Sequence, residues 1–307
     1  MASPLWALVL SENHGLRTSA LLGGVARPMW LAAGEPSRLE QALDRVSALV
    51  PGARTVTVIG PTQRAAAASL RRAADPGFVV RQPGDRGTAP GVLLGLAAIL
   101  EIRPDALVVV TPTECTIRDR DQFTLSARDA THWVASGRDE VVLFGARPAT
   151  ASWVPRWVVP GPVRPGGPRL LHQVEGLTEN PESEEVAGLL RRQALWNTQV
   201  VVARAQGLFD LYERHLPHVT AMLGRVLQAA PRERAVRLED EYRVLRPADF
   251  ARDVLARAEA LSVYAWPATI GYAPAEGGGL PAMRPRPAKA AEPRRGWTIQ
   301  AKRALGG

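Results

Sequence analysis

The sequence predicts an α/β fold: a mostly parallel, mixed central sheet in a three-layer arrangement, covered by helices on both faces. Two observations carry this. Short β-branched apolar runs recur along the first half of the chain, each bounded by polar or Gly/Pro-containing turns. Between them lie longer segments whose apolar residues recur every three or four positions. Strand and helix signals that alternate in this way make βαβ units, and such units build parallel sheets buried on both sides.

Taken in order, Trp6–Leu10 reads as a buried strand that meets a polar turn at Ser11 and Glu12. Pro36–Val50 places Leu39, Ala42, Leu43, Val46 and Leu49 at helical spacing. Thr55–Ile59 is the second strand, Gln63–Ala74 a helix, and Phe78–Arg81 a short strand. Pro90–Leu100 is an apolar helix leading to the strand Ala106–Val110. Asp121–Ser136 is a helix followed by the strand Glu140–Phe144. The stretch 147–169 is rich in Pro, Gly and Trp and reads as hairpins or loops at the mouth of a site. Leu195–Arg204 is a late strand, Gly207–Leu227 one long amphipathic helix, Pro247–Ala260 another helix, and Leu261–Trp266 a last strand. Residues 1–273 make one domain. From 274 to 307 the composition shifts to Pro, Ala, Gly and Arg, and this tail reads as disordered. No internal repeat is visible.

Composition narrows the function classes. The net charge of +8 suggests nucleic acid, but residues 274–307 hold seven basic side chains against two acids, so most of the excess is a property of the tail. Nucleic-acid binding is therefore not favoured, and the basic tail is better suited to an acidic protein partner. The only two lysines, Lys289 and Lys302, also lie there. No apolar run approaches the roughly 20 residues of a membrane helix, and no signal peptide is recognisable. A single cysteine, Cys115, excludes an internal disulfide and fits a reducing, cytoplasmic setting.

Several segments, in order and at matching spacing, resemble the sugar-1-phosphate nucleotidyltransferases, above all the mannose-1-phosphate guanylyltransferases. The strand Trp6–Leu10 followed by His14-Gly15-Leu16-Arg17 is similar to their strand and Gly-rich signature loop. Arg81-Gln82-Pro83 with Arg86-Gly87-Thr88-Ala89-Pro90 resembles their Glu-Pro…Arg-Asn-Thr-Ala-Pro segment. Pro112-Thr113-Glu114-Cys115 stands where the family has Pro-Ser-Asp-His. Phe144-Gly145-Ala146-Arg147-Pro148 is similar to the strand before the sugar-binding hairpin. Val174-Glu175-Gly176 resembles Val-Glu-Lys-Pro, and Trp196-Asn197-Thr198-Gln199 resembles Trp-Asn-Ser-Gly. The resemblance spans roughly residues 5 to 272 and implies a nucleotidyltransferase-like (GT-A-like, Rossmann-type) fold.

It also implies a reaction: a sugar-phosphate oxygen displaces pyrophosphate from a nucleoside triphosphate, a transfer that depends on positioning and charge neutralisation. On this resemblance GTP contacts Gly15, Arg17, Arg86, Gly87 and Thr88. Arg17 and Glu114 carry catalysis, Glu114 holds Mg²⁺ if the protein is active, and Glu175 and Asn197 contact the sugar of a sugar 1-phosphate. Several positions depart from the family. Glu12 and Asn13 replace two glycines of the phosphate cradle, where a Cβ blocks close backbone approach. Met29 and Gly176 stand where lysines are expected, and no acid follows the last strand until Glu276. Gly23–Pro28 is a second, weaker cradle candidate. The expectation is a family member with impaired or lost catalysis. The alternative is a non-catalytic protein that binds nucleotide or sugar phosphate, or a regulatory interaction protein.

Each candidate also has a plain structural reading. Gly15 and Arg17 suit an ordinary strand-to-helix turn, Glu114 a solvated turn, and Thr88 a helix cap. His215-x-x-His218 lacks a third zinc ligand and reads as a helix end near Pro217. Cys115 reads as a small apolar packing residue.

Overall fold

The computed structural model describes residues 4–11, 37–61, 77–113, 115, 117, 119–137, 141–148 and 156–270. The predicted helix Gln63–Ala74, the tail, and the candidates Gly15, Arg17, Glu114 and Gly23–Pro28 lie outside these residues.

Among the described residues nine strands form one sheet in the order β3-β2-β1-β4-β8-β5-β9-β7-β6. They are β1 (Leu5–Ser11), β2 (Thr55–Ile59), β3 (Phe78–Arg81), β4 (Leu107–Pro112), β5 (Val141–Pro148), β6 (Arg156–Val163), β7 (Leu171–Glu179), β8 (Leu195–Arg204) and β9 (Leu261–Ile270). The β3-β2-β1-β4 half is parallel. Beyond β4 the only parallel pair among the described strands is β5–β9; β8 runs antiparallel to β4, β5 and β6, and β7 antiparallel to β6 and β9. The sheet is thus mixed, and its parallel character is confined largely to the first half. Pairing of Trp157 with Trp196 and Val158 with Leu195 joins β6 back to β8. The strands β8-β5-β9-β7-β6 therefore close into a ring.

The predicted loops at 147–169 are in part the long hairpin β6–β7. Pro160, Gly161 and Pro162 hid β6. The register shifts on both sides of Pro160, between Val159/Pro160 and between Pro160/Val163, which is how a strand tolerates residues that cannot extend a regular ladder.

The helices are α1 (Arg38–Ser47), α2 (Thr88–Ile102), α3 (Arg120–Ala135), α4 (Ser183–Arg191), α5 (Ala205–His215), α6 (Pro217–Gln228), α7 (Arg234–Val244) and the single turn α8 (Phe250–Asp253). The one helix predicted over Gly207–Leu227 is two. Leu216 (φ −132°, ψ 54°) breaks it, and Pro217 starts the next helix at a position that requires no N–H donor. Of Pro247–Ala260 only α8 and a 3-10 turn at Leu255–Arg257 are helical.

Strand residues alternate between two apolar cores. Trp6, Leu8, Leu10, Val56 and Val58 face α2, α5, α6 and α7. Ala7, Val9, Leu107 and Val109 face α1 and α3. α1 begins with a capping box: the Ser37 hydroxyl accepts from Glu40 N–H, and the Glu40 carboxylate accepts from Ser37 N–H at 2.8 Å.

Candidate functional site

In open α/β sheets a crevice forms outside the carboxyl ends of strands where the winding direction reverses. Here β2 and β3 lie on one side of β1 and β4 on the other, so the reversal falls between β1 and β4. The segments that follow β1, β3 and β4 are those in which the sequence places its nucleotide-side candidates.

Arg86, Gly87 and Thr88 come after β3 and open α2. The Arg86 guanidinium donates from Nε to Tyr242 O at 2.6 Å and from Nη2 to Arg243 O at 2.8 Å, at the carboxyl end of α7. Its charge thus meets carbonyls that helix hydrogen bonding leaves unpaired. Gly87 has φ +82°, and a Cβ there would lie 2.3 Å from Ala248 O, so the position requires glycine on both counts. Arg86 O accepts from Ala248 N–H, and Ala248 O accepts from Ala89 N–H, each at 3.0 Å. Thr88 is buried; its hydroxyl accepts from Phe250 N–H at 2.6 Å and lies 3.4 Å from Asp249 Oδ2. It begins α2 without capping it and satisfies the first turn of α8 instead. The whole Arg86–Ala89 segment is locked to residues 242–250.

Asn197 and Glu175 separate. Asn197 is buried on β8, where its Oδ1 accepts from Gln199 N–H at 2.9 Å. Gln199 has φ +62°, left-handed backbone at the position where the resembled segment has glycine. Glu175, on β7, is half-exposed and pairs with Arg192 at 3.0 Å, away from Asn197.

The carboxylate that shares a cavity with Asn197 is Glu179. A cavity of about 120 Å³ is lined by Arg156, Trp157, Thr178, Glu179, Asn197 and Arg252, among others. Arg156 donates to Glu179 Oε1 at 3.1 Å and to Asp249 Oδ2 at 2.9 Å. Arg252 forms a two-pronged pair with Asp253 at 2.8 Å, which pushes the guanidinium pKa up and the carboxyl below its ordinary range. Asp249 thus joins the Thr88 end of the molecule to the cavity. The sequence did carry a signal for Glu179. Glu179-Asn180-Pro181 matches a Glu-x-Pro spacing that Glu175 lacks, and Asn180 (φ +48°) then stands at the lysine position.

Behind the end of β4 lies a buried cation. Arg45 donates to Thr111 Oγ1, Pro112 O and Cys115 O at 3.0, 3.3 and 3.2 Å. Burial lowers its pKa, and burial raises that of the Cys115 thiol to about 12. Among the described residues no group of three or more His, Cys, Asp or Glu is placed to hold a metal; Glu114, the residue expected to hold Mg²⁺, lies outside them.

No protein-family model and no curated protein matches the sequence. Solved structures do match. A Thermus thermophilus protein described as a mannose-1-phosphate geranyltransferase shares 27% identity at a TM-score of 0.71, over 87% of this chain and 75% of that one. A Helicobacter pylori protein described as a mannose-6-phosphate isomerase shares 15% identity at a TM-score of 0.67, over 87% and 99%. A UDP-glucose pyrophosphorylase complexed with UDP-glucose shares 12% at a TM-score of 0.55, over 87% and 92%. The chain resembles the sugar-phosphate nucleotidyltransferases and has their fold.

Proposed function

We propose that this chain is a GT-A-like nucleotidyltransferase relative that holds a sugar 1-phosphate beside a nucleoside triphosphate, GTP by resemblance, and whose transfer chemistry is weakened or lost. The observation that carries this reading is the cavity in which Glu179, Asn197, Thr178, Arg156 and Arg252 converge between β6, β7, β8 and α8. With room for about four waters, it suits the hydroxyls of a sugar and not a nucleotide. Its two guanidinium groups are already matched by Glu179, Asp249 and Asp253. A charge-compensated cavity favours neutral hydroxyls over phosphate, so the phosphate belongs outside it, toward the segments that follow β1 and β4.

Loss of transfer rests on the cations. With both lysines at 289 and 302, the body must neutralise phosphate through arginine. Of the arginines on the nucleotide side, Arg86 already serves the carbonyls of Tyr242 and Arg243. Glu114 is the residue that would hold Mg²⁺, which supplies charge neutralisation at the phosphates when bound. The setting proposed is the cytoplasm, where the buried thiol of Cys115 stays reduced.

The test has two arms. Mannose 1-phosphate and glucose 1-phosphate should raise the melting temperature, whereas pyrophosphate release from GTP, Mg²⁺ and either sugar phosphate should be slow or absent. Pyrophosphate release at ordinary enzymatic rates, about 1–10³ s⁻¹, would overturn the impaired-transfer reading. No thermal response to any sugar phosphate would overturn the binding reading.

A further inference from the structure

Among the described residues Arg45 is the one buried arginine, 4% exposed. It leaves α1 and crosses the α1/α3 face of the sheet to the carboxyl end of β4, where its three acceptors, Thr111 Oγ1, Pro112 O and Cys115 O, are all neutral. The nearby groups that act on its charge do not match it. The Cys115 thiol, whose pKa burial raises to about 12, stays protonated. The Asp44 carboxylate is 64% exposed and pairs with Arg120 at 3.1 Å. A guanidinium is thus buried with no carboxylate against it, a costly arrangement.

Orphaned hydroxyls stand at the same end of the sheet. Thr113, two residues past Thr111, is 2% exposed. Its N–H donates to Leu10 O at 3.0 Å, which holds the end of β4 against β1, and its hydroxyl has no partner. Thr57 and Thr111 pair with Val9 from either side, so the three share the α1/α3 face, and the buried Thr57 hydroxyl is unpartnered too. Unmatched polar groups gathered in one place call for a reason beyond packing. They lie where the winding reverses between β1 and β4, and a crevice for ligands opens at the carboxyl ends of such strands.

We propose that Arg45 is a positioning residue for a phosphate group held at the carboxyl ends of β1 and β4. Its three hydrogen bonds fix the end of β4, and its unmatched charge draws the phosphate from beneath without touching it. This role rests on the proposed function, which already directs the phosphate to that side. The reach of the charge is sufficient: about 10 Å from an anion, at an effective dielectric of about 20, it changes affinity roughly tenfold or more.

Titration calorimetry on the full chain with inorganic pyrophosphate, mannose 1-phosphate and mannose tests this. Arg45→Gln should weaken pyrophosphate binding about tenfold and leave mannose binding unchanged; Arg45→Met serves if Arg45→Gln does not fold. Arg45→Lys should keep anion affinity within about threefold of the unaltered chain, even though one ammonium cannot span the same acceptors. Weakening with pyrophosphate alone would put a nucleotide's phosphates above Arg45, and weakening with mannose 1-phosphate as well would add the sugar phosphate; both support the role. Anion affinities equal in Arg45→Gln and the unaltered chain would overturn it. So would Arg45→Lys losing as much as Arg45→Gln, since shape and not charge would then matter, or an unaltered chain that binds neither anion. Mannose binding in that last case would leave the sugar cavity standing; pyrophosphate binding that depends on Arg45, without any sugar response, would sink the sugar reading and keep this one.

Discussion

The Arg45 guanidinium lies 5.6 Å from the centre of the Phe123 ring, and the two side chains are buried together between α1 and α3. Arg45 has no carboxylate partner among the described residues, and its Nε makes no hydrogen bond. Three oxygens and an aromatic face offset the cost of burying this charge. Arg45→Met should cost about 3 kcal/mol in urea unfolding, because Thr111 Oγ1, Pro112 O and Cys115 O lose their donor together. Arg45→Lys should recover only part of this, since one ammonium cannot span acceptors that a planar fork reaches. A midpoint unchanged in Arg45→Met would show that the three contacts are idle.

The two glutamates of β7 give the sharpest test of the proposed sugar site. Glu179→Gln should reduce or abolish the rise in melting temperature produced by sugar 1-phosphates. Glu175→Gln should leave it intact, because Glu175 pairs with Arg192 away from the cavity. The opposite result would return the sugar site to Glu175.

Gln199 adopts strained left-handed backbone to hold the bulge after Asn197. An L-residue in that region costs about 1–2 kcal/mol, part of which glycine would return as entropy lost on folding. Gln199→Gly should therefore stabilise by about 0.5–1 kcal/mol and keep the Asn197 contact, which uses only the backbone N–H. Calorimetry should show a rise of a few degrees; a fall would mean that the Gln199 side chain holds something in place.

Acid unfolding should report Glu241. The hydrogen bonds from Arg225 hold its carboxyl below the usual carboxylate range, with Arg237 adding to the effect and burial opposing it. A carboxyl depressed in the folded state stabilises above its unfolded value of about 4.3, and that stability is lost as pH falls through the folded value. Glu241→Gln should melt lower than the unaltered protein at pH 7, and the gap should close below about pH 4. A gap that persists in acid would mean that packing and not charge sets the cost.

How far the sequence could be read depended on the local signal in each part. Thr55–Ile59, Phe78–Arg81 and Leu195–Arg204 are strands at the residues predicted, because β-branched apolar runs bounded by turns have few other uses. The helix α7 is mostly charged, and its burial on Leu238 and Tyr242 is a tertiary fact with little periodic trace. β6 was masked by its prolines. In the sequence the Trp196-Asn197 pair points to Asn197 and the Val-Glu dipeptide to Glu175; in the structure Asn197 shares its cavity with Glu179 instead, a residue marked in the sequence only by its spacing to Pro181. The role of Arg86 could not be read at all: its partners, Tyr242 and Arg243, stand 156 and 157 positions away.

The closed ring of β8, β5, β9, β7 and β6 has a consequence for the order of folding. β9 sits between β5 and β7 and pairs Leu261 with Val141 and Tyr264 with Leu171, so the ring has a gap until the last described strand has been made. The parallel half, β1 to β4 with α2, requires nothing beyond Pro112 for its own strand pairing. On a ribosome delivering the chain from its amino end, the parallel half can assemble while the ring still waits for about 150 residues of synthesis, roughly 8–30 seconds at about 5–20 residues per second. During that interval the edge of β4 that will receive β8 is bare, and it is there that a nascent chain of this protein is open to mispairing.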